Sequence, residues 1–124
     1  MIYADWYETG NLFGVKYRLS NIGNGLKPHA HPATEQHNVI CLRGKCAIFG
    51  PNLQPSIIKA GEISDFDSTR VHSIVGLEPD TIILNICLFG KPDAYKDVTE
   101  KHLEVDFYPQ VPHDVQEFIN NNNS

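Results

Sequence analysis

The sequence has no apolar run near the roughly 20 residues that a membrane-crossing helix needs. Its opening, "MIYADWYETG", lacks both the basic start and the apolar centre of a secretory signal. Together these absences lead us to expect a cytoplasmic protein. Positive charge is also scarce: ten Lys and Arg stand against fifteen Asp and Glu, a formal net charge of -5. A surface of that sign repels phosphate backbones and anionic membranes, so no nucleic-acid and no membrane partner is expected. Cysteine is sparse. Cys41, Cys46 and Cys87 are odd in number and without CxxC spacing, which excludes a disulfide framework and a thiolate zinc cluster and leaves buried thiols. Internal repeats, low-complexity segments and helical periodicity of useful length are missing as well.

What is present is strand. A chain of 124 residues with 41% hydrophobic and 20% charged residues suits one core and one domain. "NLFGVKYRLS" places Phe13, Val15, Tyr17 and Leu19 on one parity and Gly14, Lys16 and Arg18 on the other, the period of a half-buried strand. "HNVICLRG" and "KCAIFG" follow as neighbouring strands around Gly44, then "PSIIKAGEI", "RVHSIVG" and "TIILNICLF", divided by Gly, Asp and Pro. Many short strands with regular turn signals predict an all-β fold, a single antiparallel barrel or jelly roll. The barrel core is expected over 11–90. A polar arm with three prolines follows over 91–119, with helical turns near Tyr95 to Lys101 and Val115 to Ile119, and then a frayed tail over 120–124.

Histidine is where the sequence is rich. Three of its six fall in "HAHPATEQHN", residues 29 to 38. In a strand, residues two apart point the same way, so His29 and His31 can present two imidazoles to one point. Pro32 then turns the chain, and His37 opens the next strand, where a hairpin would fold it back beside the pair. Glu35 competes with His37 for the third position, and His72 on "RVHSIVG" is a further candidate. His102 and His113 have no partner at ligand spacing and are expected to be solvated.

These residues resemble the motifs of the cupin superfamily, written G(x)5HxH(x)3-4E(x)6G and G(x)5PxG(x)2H(x)3N. Gly23, His29, His31 and Gly44 stand at matching places of the first, and Gly61 and His72 at matching places of the second. The likeness spans residues 23 to 76. Counting back from Gly44, the glutamate position is held by His37, whereas Glu35 keeps the family's distance from His31 but not from the glycine. The second motif lacks its proline, glycine and asparagine, with Asp67, Thr69 and Gly76 instead, so its turn should differ.

The resemblance implies a cupin barrel with a metal centre open to a small ligand. His29, His31, His37 and His72 are the expected ligands of one divalent transition metal, whether Fe, Mn, Ni, Zn or Cu, since imidazole suits them all. Neutral ligands leave the full charge on the ion, which favours an anionic or enolisable small molecule. Such a metal makes Lewis-acid chemistry available. The expected function is therefore a dioxygenase, isomerase or lyase, with a non-catalytic module for a sugar or small acid as the alternative. Glu35 and Tyr17 are the candidate catalytic residues, and Arg70 and Asn85 the candidate substrate-binding ones. Ile82, Leu84, Ile86 and Leu88 form an aliphatic second face on their strand, so either the arm or a second subunit, making a homodimer, is expected to cover it.

Overall fold

A computed structural model describes residues 2–9, 12–31, 36–88, 104–106 and 113–122. Among the described residues, nine strands and one helix follow in order: β1 (Ile2–Thr9), β2 (Leu12–Leu19), β3 (Asn24–His29), β4 (Gln36–Arg43), β5 (Lys45–Gly50), β6 (Leu53–Lys59), β7 (His72–Gly76), β8 (Thr81–Leu88), β9 (Glu104–Asp106) and α1 (His113–Asn122). All the strand pairings are antiparallel. The strands form a four-stranded sheet in the order β1-β2-β8-β4 and a five-stranded sheet in the order β6-β5-β7-β3-β9.

The alternation read in the sequence decides which face of each strand is buried. On β2, Val15, Tyr17 and Leu19 are buried, and on β8 their register partners Asn85, Ile83 and Thr81 share that face. Leu26, Ile48 and Ile74 meet them from the five-stranded sheet, so one apolar core lies between the two layers. This is a jelly roll, and its sheets do not close into a continuous ladder. The backbone link between them runs along β4: Cys41 N donates to Glu62 O, Gly61 N to Cys41 O, and Ser64 N to Val39 O. That seam carries the chain from β6 toward the start of β7.

Gly44 allows the switch from one sheet to the other. Its φ is 79°, and a Cβ there would lie 2.6 Å from Thr81 Oγ1 and 3.2 Å from Thr81 Cα. Gly23 and Gly61, the other glycines of the two motifs, also have positive φ. The strands on either side of Gly44 are consecutive but do not pair: β4 bonds β8, while β5 bonds β6 and β7. The expectation of neighbouring strands is corrected accordingly, because the left-handed turn sends β5 into the opposite layer.

Three elements differ from the sequence reading. β1 has no clean alternation and was not expected, yet it pairs with β2 over eight register positions. β9, within the polar arm, adds an edge to β3. The helix runs to Asn122, so Asn120 to Asn122 belong to it and not to a tail. Side chains one turn apart hold that end: Gln116 Nε2 donates to Asn120 Oδ1 at 3.1 Å and Asn122 Nδ2 to Phe118 O at 2.8 Å. Val115 and Ile119, at i and i+4, pack on Ala47, Phe49, Val75 and Leu77, the outer face of the five-stranded sheet. The helical turn expected near Tyr95 to Lys101 lies outside the described residues.

Candidate metal centre

Four histidines meet at one end of the core. His29 ends β3 and His72 begins β7, and the two are register partners. Their ring centroids are 4.3 Å apart. His31 lies past the end of β3, so strand parity does not place it. Its N–H donates to Ser68 O at 3.0 Å, and its ring comes to 5.1 Å from His29 and 5.3 Å from His72. One ligand nitrogen from each of His29, His31 and His72 lies within 4.8 Å of the others.

His37 reaches the cluster by a different route from the expected hairpin. β3 and β4 belong to opposite sheets, and packing of the layers brings His37 onto His31, ring on ring at 3.5 Å and 13°. It does not belong to the set that converges within 4.8 Å. Glu35 lies outside the described residues.

The hydrogen bonds decide which nitrogen each ring offers. His29 Nδ1 lies 2.7 Å from Lys27 O, and His72 Nδ1 lies 2.8 Å from Arg70 O. A carbonyl only accepts, so each Nδ1 carries the proton and each Nε2 keeps its lone pair. His29 Nε2 is buried with no hydrogen-bond partner among the described residues. A buried, orphaned lone pair is costly unless something binds it.

The same burial keeps the rings neutral. Desolvation first, then the neighbouring imidazoles, push His31 down to about 2 and His72 to about 4. Burial lowers His29 too, partly opposed by its bond to Lys27 O. Neutral imidazole is the metal-binding form. Three nitrogens on one ion at about 2.1 Å stand about 3.0–3.6 Å from one another, so a set that lies within 4.8 Å closes on a metal by roughly an ångström. The residues fit a divalent transition metal.

The remaining candidates lie elsewhere. Tyr17 is buried in the core beside Val15 and Leu19, and burial raises its hydroxyl well above the usual range. Asn85 is half-buried on β8, opposite Val15 and Val39. Arg70 is exposed, its Nη1 donating to Asn52 O at 2.9 Å and its Nε 3.4 Å from Asp67 Oδ2. Its guanidinium therefore belongs to the surface, since Arg70 precedes β7 and strand parity does not hold there. His113 is exposed and lies 3.3 Å from Glu117.

Sequence reasoning missed Phe66 and Ser68. The Phe66 ring stands edge-on to His72 at 4.7 Å. Both lie in an irregular loop where no periodicity marks them. The turn that replaces the second motif's proline and glycine is made by Asp67, whose Oδ1 accepts from Thr69 N at 3.0 Å and from Thr69 Oγ1 at 2.6 Å. These bonds, the side-chain one first, hold its carboxyl below the usual range.

The antiparallel jelly roll is an architecture that solved structures share. The chain superposes on KdgF from Halomonas sp. with a TM-score of 0.63 at 18% identity, over 75% of this chain and 83% of that one. An RmlC-like cupin from Shewanella frigidimarina gives 0.60 at 15% identity, over 75% and 80%. An HTH_3 family transcriptional regulator from Vibrio cholerae gives 0.59 at 17% identity over 73% of this chain, which spans only 52% of the regulator. No protein-family model and no curated protein matches the sequence. The chain has the cupin fold.

Proposed function

We propose that the protein is a metal-binding cupin that acts on a small anionic or enolisable molecule. His29, His31 and His72 hold one divalent transition metal through their ring nitrogens, with His37 as a fourth ligand. The observation that carries this reading is the convergence of three ligand nitrogens within 4.8 Å, with His29 Nε2 buried and unpartnered among the described residues. Bound there, a metal supplies Lewis acidity toward a carbonyl or enolate oxygen. The protein's own part is to orient: the Lys27 and Arg70 carbonyls fix two rings, and the Phe66 ring packs against His72. An all-histidine set leaves the ion's charge uncompensated, which selects for an anion.

The reaction class in this proposal is dioxygenase, isomerase or lyase, with Glu35 as the proton acceptor. Tyr17 is withdrawn from that role, because a hydroxyl held neutral in the core is a poor base. The alternative, a non-catalytic small-acid or sugar module, is favoured by one observation: Arg70 and Tyr17, two of the polar candidates, are engaged at the surface and in the core. A homodimer remains part of the proposal, since Ile82, Leu84 and Ile86 alternate with the buried Ile83 on the outer side of β8 and are half-buried.

Metal analysis of protein purified without an affinity tag, followed by a screen of small enolisable acids by NMR, tests the reading. Near-stoichiometric metal with turnover of one acid supports the enzyme. Metal with binding but no turnover selects the module, and protein that takes up no transition metal overturns both.

A further inference from the structure

We propose that the tip of the β5–β6 hairpin, acting through Gly50 and Arg70, holds His72 in its ligating orientation. Its consequence for affinity rests on the metal-binding reading above, and its geometry does not.

The two register partners His29 and His72 are anchored alike but supported differently. Lys27, whose carbonyl accepts from His29 Nδ1, lies within β3, at an irregularity flanked by the register pairs Leu26–Ile74 and His29–His72. Arg70, whose carbonyl accepts from His72 Nδ1, lies before the first residue of β7, outside the strand ladder. Something else must fix that peptide plane.

Three restraints meet there, two from the hairpin tip and one from the turn at Asp67. Arg70 Nη1 donates to Asn52 O at 2.9 Å. Arg70 N donates to Asp67 O at 3.1 Å, and its guanidinium meets the Asp67 carboxylate. Gly50 packs against Val71 so closely that a Cβ would run into the Val71 carbonyl oxygen and lie 3.3 Å from His72 Cα. One residue thus ties the hairpin at its guanidinium end and the imidazole at its carbonyl end. An exposed arginine pair adds little to stability, so its effect here is positional: it limits rotation of the Arg70 carbonyl and keeps His72 Nε2 aimed at the cluster. Gly50 and Arg70 are positioning residues, which touch neither metal nor substrate.

The test is long-range proton–nitrogen NMR of the metal-free protein, with Co(II) titration alongside. The wild-type His72 shows the signature of a single tautomer protonated at Nδ1. In Arg70→Gln that signature averages between tautomers while that of His29 stays, and Co(II) affinity falls about tenfold, as expected when an outer support of a ligating histidine is lost. Arg70→Lys, which keeps one donor toward Asn52 O, recovers part of both effects, and Arg18→Gln at a distant surface pair changes neither. Gly50→Ala gives the larger loss. An Arg70→Gln protein whose His72 signature and Co(II) affinity are unchanged overturns the inference, as does a fall in Tm alone. If the wild type takes up no Co(II), the metal reading fails and the tautomer signature still decides this inference.

Discussion

His29 and His72 are cross-strand partners, their ring centroids 4.3 Å apart, and each donates a hydrogen bond from Nδ1 to the carbonyl of the residue two places before it. Antiparallel pairing sets the separation, and the two carbonyls set which nitrogen faces inward. Changing either ring should therefore remove the site. His29→Ala and His72→Ala are each expected to lower the affinity for Zn(II) or Co(II) by at least about 100-fold, measured by titration calorimetry, with one metal per wild-type chain. Retention of tight binding in either variant would show that the convergence is incidental.

The order of losses distinguishes His37 from Glu35. His37 stacks on His31 at 3.5 Å, and its place on β4 is fixed by register with Cys87. His37→Ala should weaken metal binding about 10- to 100-fold, while Glu35→Ala should leave it nearly unchanged and reduce turnover. The reverse order in a metal titration assigns the glutamate as the ligand.

Acid should destabilise the fold through the same cluster. His31 and His72 are pushed to about 2 and about 4, below the 6.5 of a free imidazole. On acidification the unfolded chain takes up protons first, so this stability is complete above about pH 6.5. It falls as pH drops from 6.5 toward about 4 for His72 and about 2 for His31. Each neutral ring contributes a slope of about 1.4 kcal/mol per pH unit in its window. Urea unfolding at pH 7.5 and pH 5.5 should give a lower midpoint at pH 5.5. An equal or higher midpoint there would mean that the rings are not held neutral.

The turn between the sheets is sensitive to a single methyl group. Gly44→Ala combines left-handed backbone with a Cβ 2.6 Å from Thr81 Oγ1, and should cost about 1–3 kcal/mol, seen as a lower Tm in calorimetry. The wild-type Tm in this variant would mean that the turn relaxes freely.

The amino-acid sequence by itself determined the buried face of β2 and β8, because a period of two states which side chains turn inward, as Val15 and Tyr17 do. It also marked turns at Gly44 and Gly61, both of positive φ, and, through the resemblance of its spacing to the cupin motifs, the three histidines that converge, His29, His31 and His72. Pairing was decided only by the tertiary structure. Alternation says that a strand has a wet side and a dry side, not which strand lies next to it, so nothing local told that β5 leaves β4 for the other sheet or that β1 joins β2. The same limit explains the site: His37 lies on His31 because two layers pack, not because a hairpin folds, and Arg70 fails to follow the parity of His72 because it precedes the strand. Contacts between residues far apart in the chain depend on how whole faces fit together, and that information resides in the assembled core rather than in any short stretch of it.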